Sequence, residues 1–387
     1  MSDYNNNYLQ NINKLRLIYF LSYFGFNIWY PLFNLYLKNS GFKGYQIGLL
    51  SSIYPLNLLI FQPIWGFNAD KYGRKKLVSI ALIITSISLV FFNVSNSYYL
   101  MFIQIFILTF AWTTIHPLFD SIALDYISVG NETKYSTIRV WGSIGWTSAS
   151  IVLTMFVISN TNMNFHVASI FPLTCFVILL TIPSIQKRPD ISEKINFENV
   201  RLLLKNKKLV LFLIILFLLA IVFSGIANYY SVLLSDMGLS SSQIRLSIAV
   251  QGISEIPFVF LASQIIKKYG MRRIMLIALI GTGIRLFLYG IAKNHYVALI
   301  GDSMNGIFWM LFWIGTIEYI NNIVDSKLRS TGQAILWSVF FGFGYIAGNM
   351  WIGFLYDFIP LQIIFIINSL LLIALGISSW MILKIKR

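Results

Sequence analysis

Twelve stretches of this chain are long and apolar enough to cross a bilayer, and no other feature constrains its fold so tightly. A hydrocarbon core about 30 Å thick takes about 20 apolar residues in a helix. Windows of that kind fall near 15–37, 45–67, 77–95, 98–126, 138–158, 165–186, 209–234, 243–266, 274–292, 296–323, 331–354 and 361–383. Only 11% of the residues are charged and the mean hydropathy is +0.73, whereas soluble domains carry about 25% charged residues. The expected class is all-α integral membrane, with twelve transmembrane helices. The first thirteen residues are polar and lack a basic n-region. The apolar run after them is too long for a cleaved signal, so it reads as an uncleaved first span.

The net charge of +15 would suggest nucleic acid in a soluble protein. Here it belongs to loops. With both termini inside, the cytoplasmic segments hold 23 Lys and Arg and the outer segments four, the bias expected of cytoplasmic loops. The expected location is the plasma (inner) membrane, multi-pass, with both termini cytoplasmic. The longest loop divides the chain into an N-terminal six-helix bundle (1–186), a linker (187–208) and a C-terminal six-helix bundle (209–387). One cysteine, Cys175, and three histidines, His116, His166 and His295, exclude a disulfide framework and argue against a metal site.

The two halves read as repeats. Tyr23, Asn27, Tyr30 and Asn34 are spaced 4-3-4, and Ser224, Asn228, Ser231 and Ser235 repeat that spacing 201 positions later. Lys71-Tyr72-Gly73 recurs as Lys268-Tyr269-Gly270, and Ser136-Thr137 before Trp141 recurs as Ser330-Thr331 before Trp337. Parallel repeats place a solute site near the midplane, so the stripes of Tyr23, Asn27 and Asn228 are read as cavity lining. Interhelical hydrogen bonding is the blander reading.

The stretch Asp120–Trp146 carries the chemistry. It is interrupted by the polar turn at 130–134, so Asp120 and Arg139 lie on successive helices, roughly 16 and 12 Å from the turn. Ionisable side chains at such depth are costly and face a cavity or a partner. Arg139, Ser143, Trp146 and Ser150 share one helical face. Gly142, Gly145 and Ala149 fall on another, where small residues let a neighbour approach closely. The expected arrangement is an intramembrane ion pair beside an aromatic plate.

Gly66-Phe67-Asn68-Ala69-Asp70-Lys71-Tyr72-Gly73-Arg74-Lys75-Lys76 resembles the signature loop between the second and third helices of the major facilitator superfamily. Gly66 lets helices touch, Asp70 can meet a helix N-terminus, and the basic cluster faces an anionic leaflet. Tyr135–Trp146, together with Pro117 and Asp120, is similar to the lactose-permease and phenylpropionate-permease-like proton symporters. That resemblance implies that Asp120 and Arg139 grip sugar hydroxyls, that Trp146 stacks on a pyranose and that Ser143 lies near the solute. It also aligns Glu255 and Arg285 with an acid and an arginine of the second half. Where those symporters carry a histidine and a glutamate in the tenth helix, this chain has Asn305 and Phe308. The proton site is therefore sought in Glu255, Arg285 and Asp302, with Asn305 as a solute contact. Asp125 and Glu318, near helix ends, read as interfacial. His116, beside Pro117, reads as a hydrogen-bonding residue of the bundle.

These readings imply a proton-coupled symporter of a small polar solute, a sugar or oligosaccharide first. Nucleoside or aromatic-acid symport and drug/proton antiport are the alternatives. No enzyme is expected, since HExxH and any nucleophile–base–orienter set are lacking. Neither is a cofactor, a metal or a nucleic-acid partner. The expected partners are solute, proton and lipid, with the protein a monomer.

Overall fold

The computed structural model describes residues 2–92, 97–130, 134–155, 161–184, 197–325 and 328–382. Every regular element among them is helical, and the helices form twelve successive rods. The first consists of α1 (Ser2–Trp29), a 3-10 turn (Tyr30–Leu32) and α2 (Phe33–Asn39). The second joins α3 (Gly44–Ser51) to α4 (Ile53–Tyr72). Rods three to six are α5 (Arg74–Val90), α6 (Tyr98–Gly130), α7 (Tyr135–Met155) and α8 (Thr161–Leu180). A short α9 (Phe197–Leu204) precedes α10 (Lys207–Asp236), α11 (Ser241–Tyr269) and α12 (Met271–Ile291), the seventh to ninth rods. The tenth joins α13 (His295–Ser303) to α14 (Asn305–Ile323). The eleventh runs α15 (Arg329–Trp337), a π segment (Ser338–Gly344) and α16 (Tyr345–Tyr356), and α17 (Leu361–Ile382) is the last. Of the expected linker, residues 187–196 lie outside the described residues, as do 131–133 of the polar turn.

Eight rods are individually long and apolar enough to span a membrane, and Ser241–Phe258 with Phe260–Tyr269, bent by 57°, makes a ninth. The first, third and fifth rods fall short for physical reasons. α5 has only 17 residues, while α1 opens on a polar run and α7 carries Arg139 and a series of hydroxyls. Large apolar side chains stand exposed along many rods, among them Ile64, Ile170, Phe260 and Phe354. Lipid solvates such a surface where water would penalise it.

Proline accounts for two of the breaks. Pro31 has no N–H and its ring crowds the preceding turn, so the first rod tightens there. Pro55 cannot donate to the Ser51 carbonyl. The second rod therefore stops at Ser51 and restarts at Ile53, and the Asn349 amide donates to that carbonyl at 3.1 Å. Within α4, Pro55 sits in the first turn, where a missing N–H costs nothing.

The chain packs as two compact units, Met1–Phe42 with Leu56–Asp190, and Lys43–Pro55 with Ile191–Arg387. In the first, α1 lies along α7 and α8, and α5 packs on α6 and α8. In the second, α10 lies along the π segment, α16 and α17, α12 packs on α14 and α17, and α3 docks on α16. These pairings of the first unit reappear in the second, rod for rod. The loops repeat as well. Gly41 and Gly238, then Gly73 and Gly270, each 197 apart, have φ of 86°, 81°, 101° and 84°, which only glycine adopts freely. Lys71 lies over the Tyr72 ring at 4.9 Å and Lys268 over Tyr269 at 5.2 Å. Lys75 donates to the carbonyls of Leu180 and Ile182, and Arg272, 197 positions later, to that of Trp380. Duplication is thus built into the loops as well as the spans.

Candidate functional site: two tyrosine-capped acids

Asp120 is half-buried on α6. Its Oδ1 accepts from the Tyr19 hydroxyl at 2.5 Å and the Tyr135 hydroxyl at 2.7 Å. Arg139, on α7, lies over the Tyr23 ring at 4.6 Å, and His116 stacks on Tyr23 at 4.1 Å. The direct pair expected between Asp120 and Arg139 is not made, for they are not within 4 Å. Phenols meet both charges instead, Tyr19 of α1 and Tyr135 of α7 at Asp120 and Tyr23 of α1 at Arg139. His116 Nε2 meets Ser22 Oγ at 3.1 Å, so it is held in the bundle as expected.

The aromatic plate is present but has company. Trp146 is half-buried, and Phe26 meets it edge-on at 5.6 Å and also packs on Trp112 at 4.7 Å. Ser143 is exposed on the same face of α7. Gly142 and Gly145 explain how α1 comes so near. A methyl at Gly142 would lie 2.8 Å from the Tyr23 ring, and one at Gly145 would overlap the Phe20 carbonyl. Asn27 departs from its expected role. It is fully buried and donates to Ser150 Oγ at 2.8 Å, so it joins α1 to α7 rather than lining a cavity. Asn228 is half-buried and donates to Asn349 Oδ1 at 2.8 Å.

The second unit holds a deeper cluster. Asp302 is fully buried, and its Oδ1 accepts from Tyr230 at 2.6 Å, Gln251 at 2.6 Å and Tyr289 at 2.8 Å. Its Oδ2 has no hydrogen-bond partner among the described residues. Arg285 donates through Nε to the Tyr289 hydroxyl at 2.7 Å and through Nη1 to Asn305 Oδ1 at 2.5 Å. The other end of the Asn305 amide donates to Glu255 Oε1 at 2.6 Å. Asn305 is therefore the clamp that joins Glu255 to Arg285, where sequence depth alone suggested that they face each other.

The signature loop gives a third cluster. Arg74 Nη1 grips both oxygens of Asp125 at 2.6 and 2.7 Å, and Nη2 meets Asp70 at 3.3 Å. Asp125 is thus buried against Arg74. Gly66 departs from expectation, since a Cβ there would meet nothing within 4 Å.

Tyr19, Tyr135, Tyr230 and Tyr289 were not singled out from sequence. A signal existed for two of them, because Tyr135 lies four residues before Arg139 and Tyr289 four after Arg285, one turn away on the same face.

A duplicated helical bundle with buried acid, arginine and phenol clusters defines a membrane transporter rather than an enzyme. The chain belongs to the MFS_1 like family, whose model matches residues 12–367. It is 28% identical over 371 residues to the uncharacterized transporter YwbF of Bacillus subtilis (strain 168), covering 93% of this chain and 90% of that one. It is also 28% identical over 373 residues to the maltose permease of Geobacillus stearothermophilus, covering 92% and 93%. The crystal structure of the nucleoside transporter NupG superposes with a TM-score of 0.86 at 20% identity, over 97% of this chain and 100% of that one. This is a multi-pass membrane transporter of small solutes with the major facilitator fold.

Proposed function

We propose that the protein is a proton-coupled symporter of a neutral sugar or oligosaccharide, working by alternating access of its two six-helix halves. The observation that carries the reading is the Asp120 cluster. A carboxylate held by two replaceable phenols, a guanidinium on Tyr23 and the Trp146–Phe26–Trp112 aromatics together suit hydroxyls on one side of a ring and C–H groups on the other. The 28% identity to a maltose permease across nearly both chains supports the same class. In this reading a sugar hydroxyl takes the place of a phenol on Asp120, and Trp146 offers its face to the pyranose.

Coupling needs proton and solute to bias one conformational equilibrium, so that each raises the other's affinity. Asp302 is the better proton carrier of the two candidate acids. It is fully buried and its Oδ2 is unengaged among the described residues, whereas Glu255 is half-buried and held by Asn305. Arg285 links the two through Tyr289 and Asn305. A second reading, nucleoside symport, is supported by 24% identity over 361 residues to the nucleoside permease NupG of Escherichia coli (strain K12). The flat Tyr23–His116 stack would then receive a base.

One panel tests both. Sugars, nucleosides and aromatic acids are added singly to weakly buffered, de-energised cells expressing the protein. Alkalinisation by maltose, abolished in Arg139→Ala, is the expected result. Alkalinisation by a nucleoside alone moves the assignment to the second reading. Solute entry without any pH change removes the proton from the proposal.

A further inference from the structure

A series of polar side chains leads from Asp302 to one end of the second unit. Tyr230 donates to Asp302 Oδ1 at 2.6 Å, and the Ser247 hydroxyl lies beside Tyr230. Ser247, fully buried on α11, meets His295 Nε2 at 3.0 Å. His295 is half-buried at the first position of α13, directly after the Ala292–Asn294 connection. That connection is at the opposite end of α12 from the basic Gly270 loop. Imidazole, two hydroxyls and a carboxylate are all groups that can accept one proton while releasing another. The branch towards Glu255 differs, because it runs through the Asn305 amide and the Arg285 guanidinium, which hold their protons.

We propose that His295, Ser247 and Tyr230 form the path by which a proton reaches Asp302 from the membrane face opposite the basic loops. The inference rests on the proton-coupled reading above. In the step, an imidazolium at His295 gives its Nε2 proton to Ser247 Oγ. Ser247 passes its hydroxyl proton to the Tyr230 oxygen, and Tyr230 passes its own to Asp302 Oδ1. One N–H bond breaks, one O–H bond forms on the carboxylate, and both hydroxyls end as they began. His295 becomes neutral and Asp302 becomes a neutral acid, so one positive charge has moved inward. The groups facing Asp302 are Tyr230 from α10, Gln251 from α11, and Arg285 and Tyr289 from α12. His295 faces Asp302, Ser247 and the Gln243 backbone. Of these, Tyr289 also touches Asp302, but its other partner is Arg285, which leaves Tyr230 as the hydroxyl that connects outward.

The test uses the full chain in proteoliposomes, with labelled maltose as probe, or uridine where the panel selects nucleosides. Solute-driven proton uptake and solute counterflow are measured in the same vesicles. Ser247→Ala and His295→Gln are expected to slow proton uptake by about a hundredfold or more, the scale of a lost proton-transfer group, while counterflow stays as in the wild type. Ser247→Thr, which keeps the hydroxyl, is expected to restore the rate. Proton uptake at the wild-type rate in Ser247→Ala overturns the path while leaving symport intact. Equal losses of proton uptake and counterflow in Ser247→Ala, unrelieved in Ser247→Thr, assign Ser247 to packing and also overturn it. Wild-type vesicles that take up solute with no proton movement overturn the coupled reading itself.

Discussion

The arginine of each candidate cluster rests on a tyrosine, Arg139 on the Tyr23 ring and Arg285 on the Tyr289 hydroxyl. Both neighbouring acids are reached through phenols. The charges were legible in sequence because an ionisable residue in an apolar window is costly and so conspicuous. The phenols were not, because tyrosine is unremarkable in a membrane helix until the rotation of each helix is known. The clusters therefore predict more than the charges do. Tyr135→Phe leaves Asp120 with one donor in place of two, and a hydrogen bond to a charged group is worth about 1.5–3 kcal/mol. If the bond stabilises the empty site, its loss changes the apparent solute affinity by about 10- to 100-fold, and transport KM measures this. An unchanged KM would show that the phenol only fills space. Asn305→Ala removes the clamp between Glu255 and Arg285. Counterflow is expected to persist while uphill accumulation is lost; accumulation at the wild-type level would show that the two charges are not linked through Asn305.

At the scale of elements, small residues were read correctly in one helix and wrongly in another. Gly142 and Gly145 lie where α1 presses on α7, through the Tyr23 ring at the first and the Phe20 backbone at the second, as their spacing suggested. Gly66 meets open space, because a motif names a residue without naming what packs on it. The difference is measurable. Gly145→Ala must part α1 from α7, and overpacking of this kind costs about 1–3 kcal/mol, so thermal unfolding in detergent should shift downward. Gly66→Ala in the same assay should leave the midpoint unchanged. Polar stripes show the limit of periodicity in the same way. A 4-3-4 spacing puts Asn27 on one face of α1 but does not say whether that face meets water or Ser150. Only the position of α7 decides, and it gives the buried bond.

For the whole molecule, the 197-residue offset was legible in the loops and is strongest there, since positive-φ glycines and helix caps admit few residue types. The matched loops differ in charge. Asp70 stands where the second half carries Lys267, and the Arg74–Asp125 grip belongs to the first unit. Asp125→Asn leaves the Arg74 guanidinium with only the more exposed Asp70 as a charged partner, at a cost of about 1–3 kcal/mol, visible as a lower unfolding midpoint that added salt does not restore. An unchanged midpoint would mean that Asp70 alone suffices. The break at Ser52 has a different kind of consequence. Because Pro55 cannot close the helix on the Ser51 carbonyl, the second rod is not self-sufficient in hydrogen bonds; it is completed by Asn349 of the eleventh, as a stone arch is completed by its keystone. Beside that contact the Asp357 carboxylate spans the amides of Gly44 and Tyr45 at 2.6 and 2.9 Å. Any motion that lifts α3 from α16 takes the Asn349 donor away from the Ser51 oxygen inside a membrane, where no water waits to replace it. A helix that continued unbroken through this point would be free to leave; this one is tethered by its own proline.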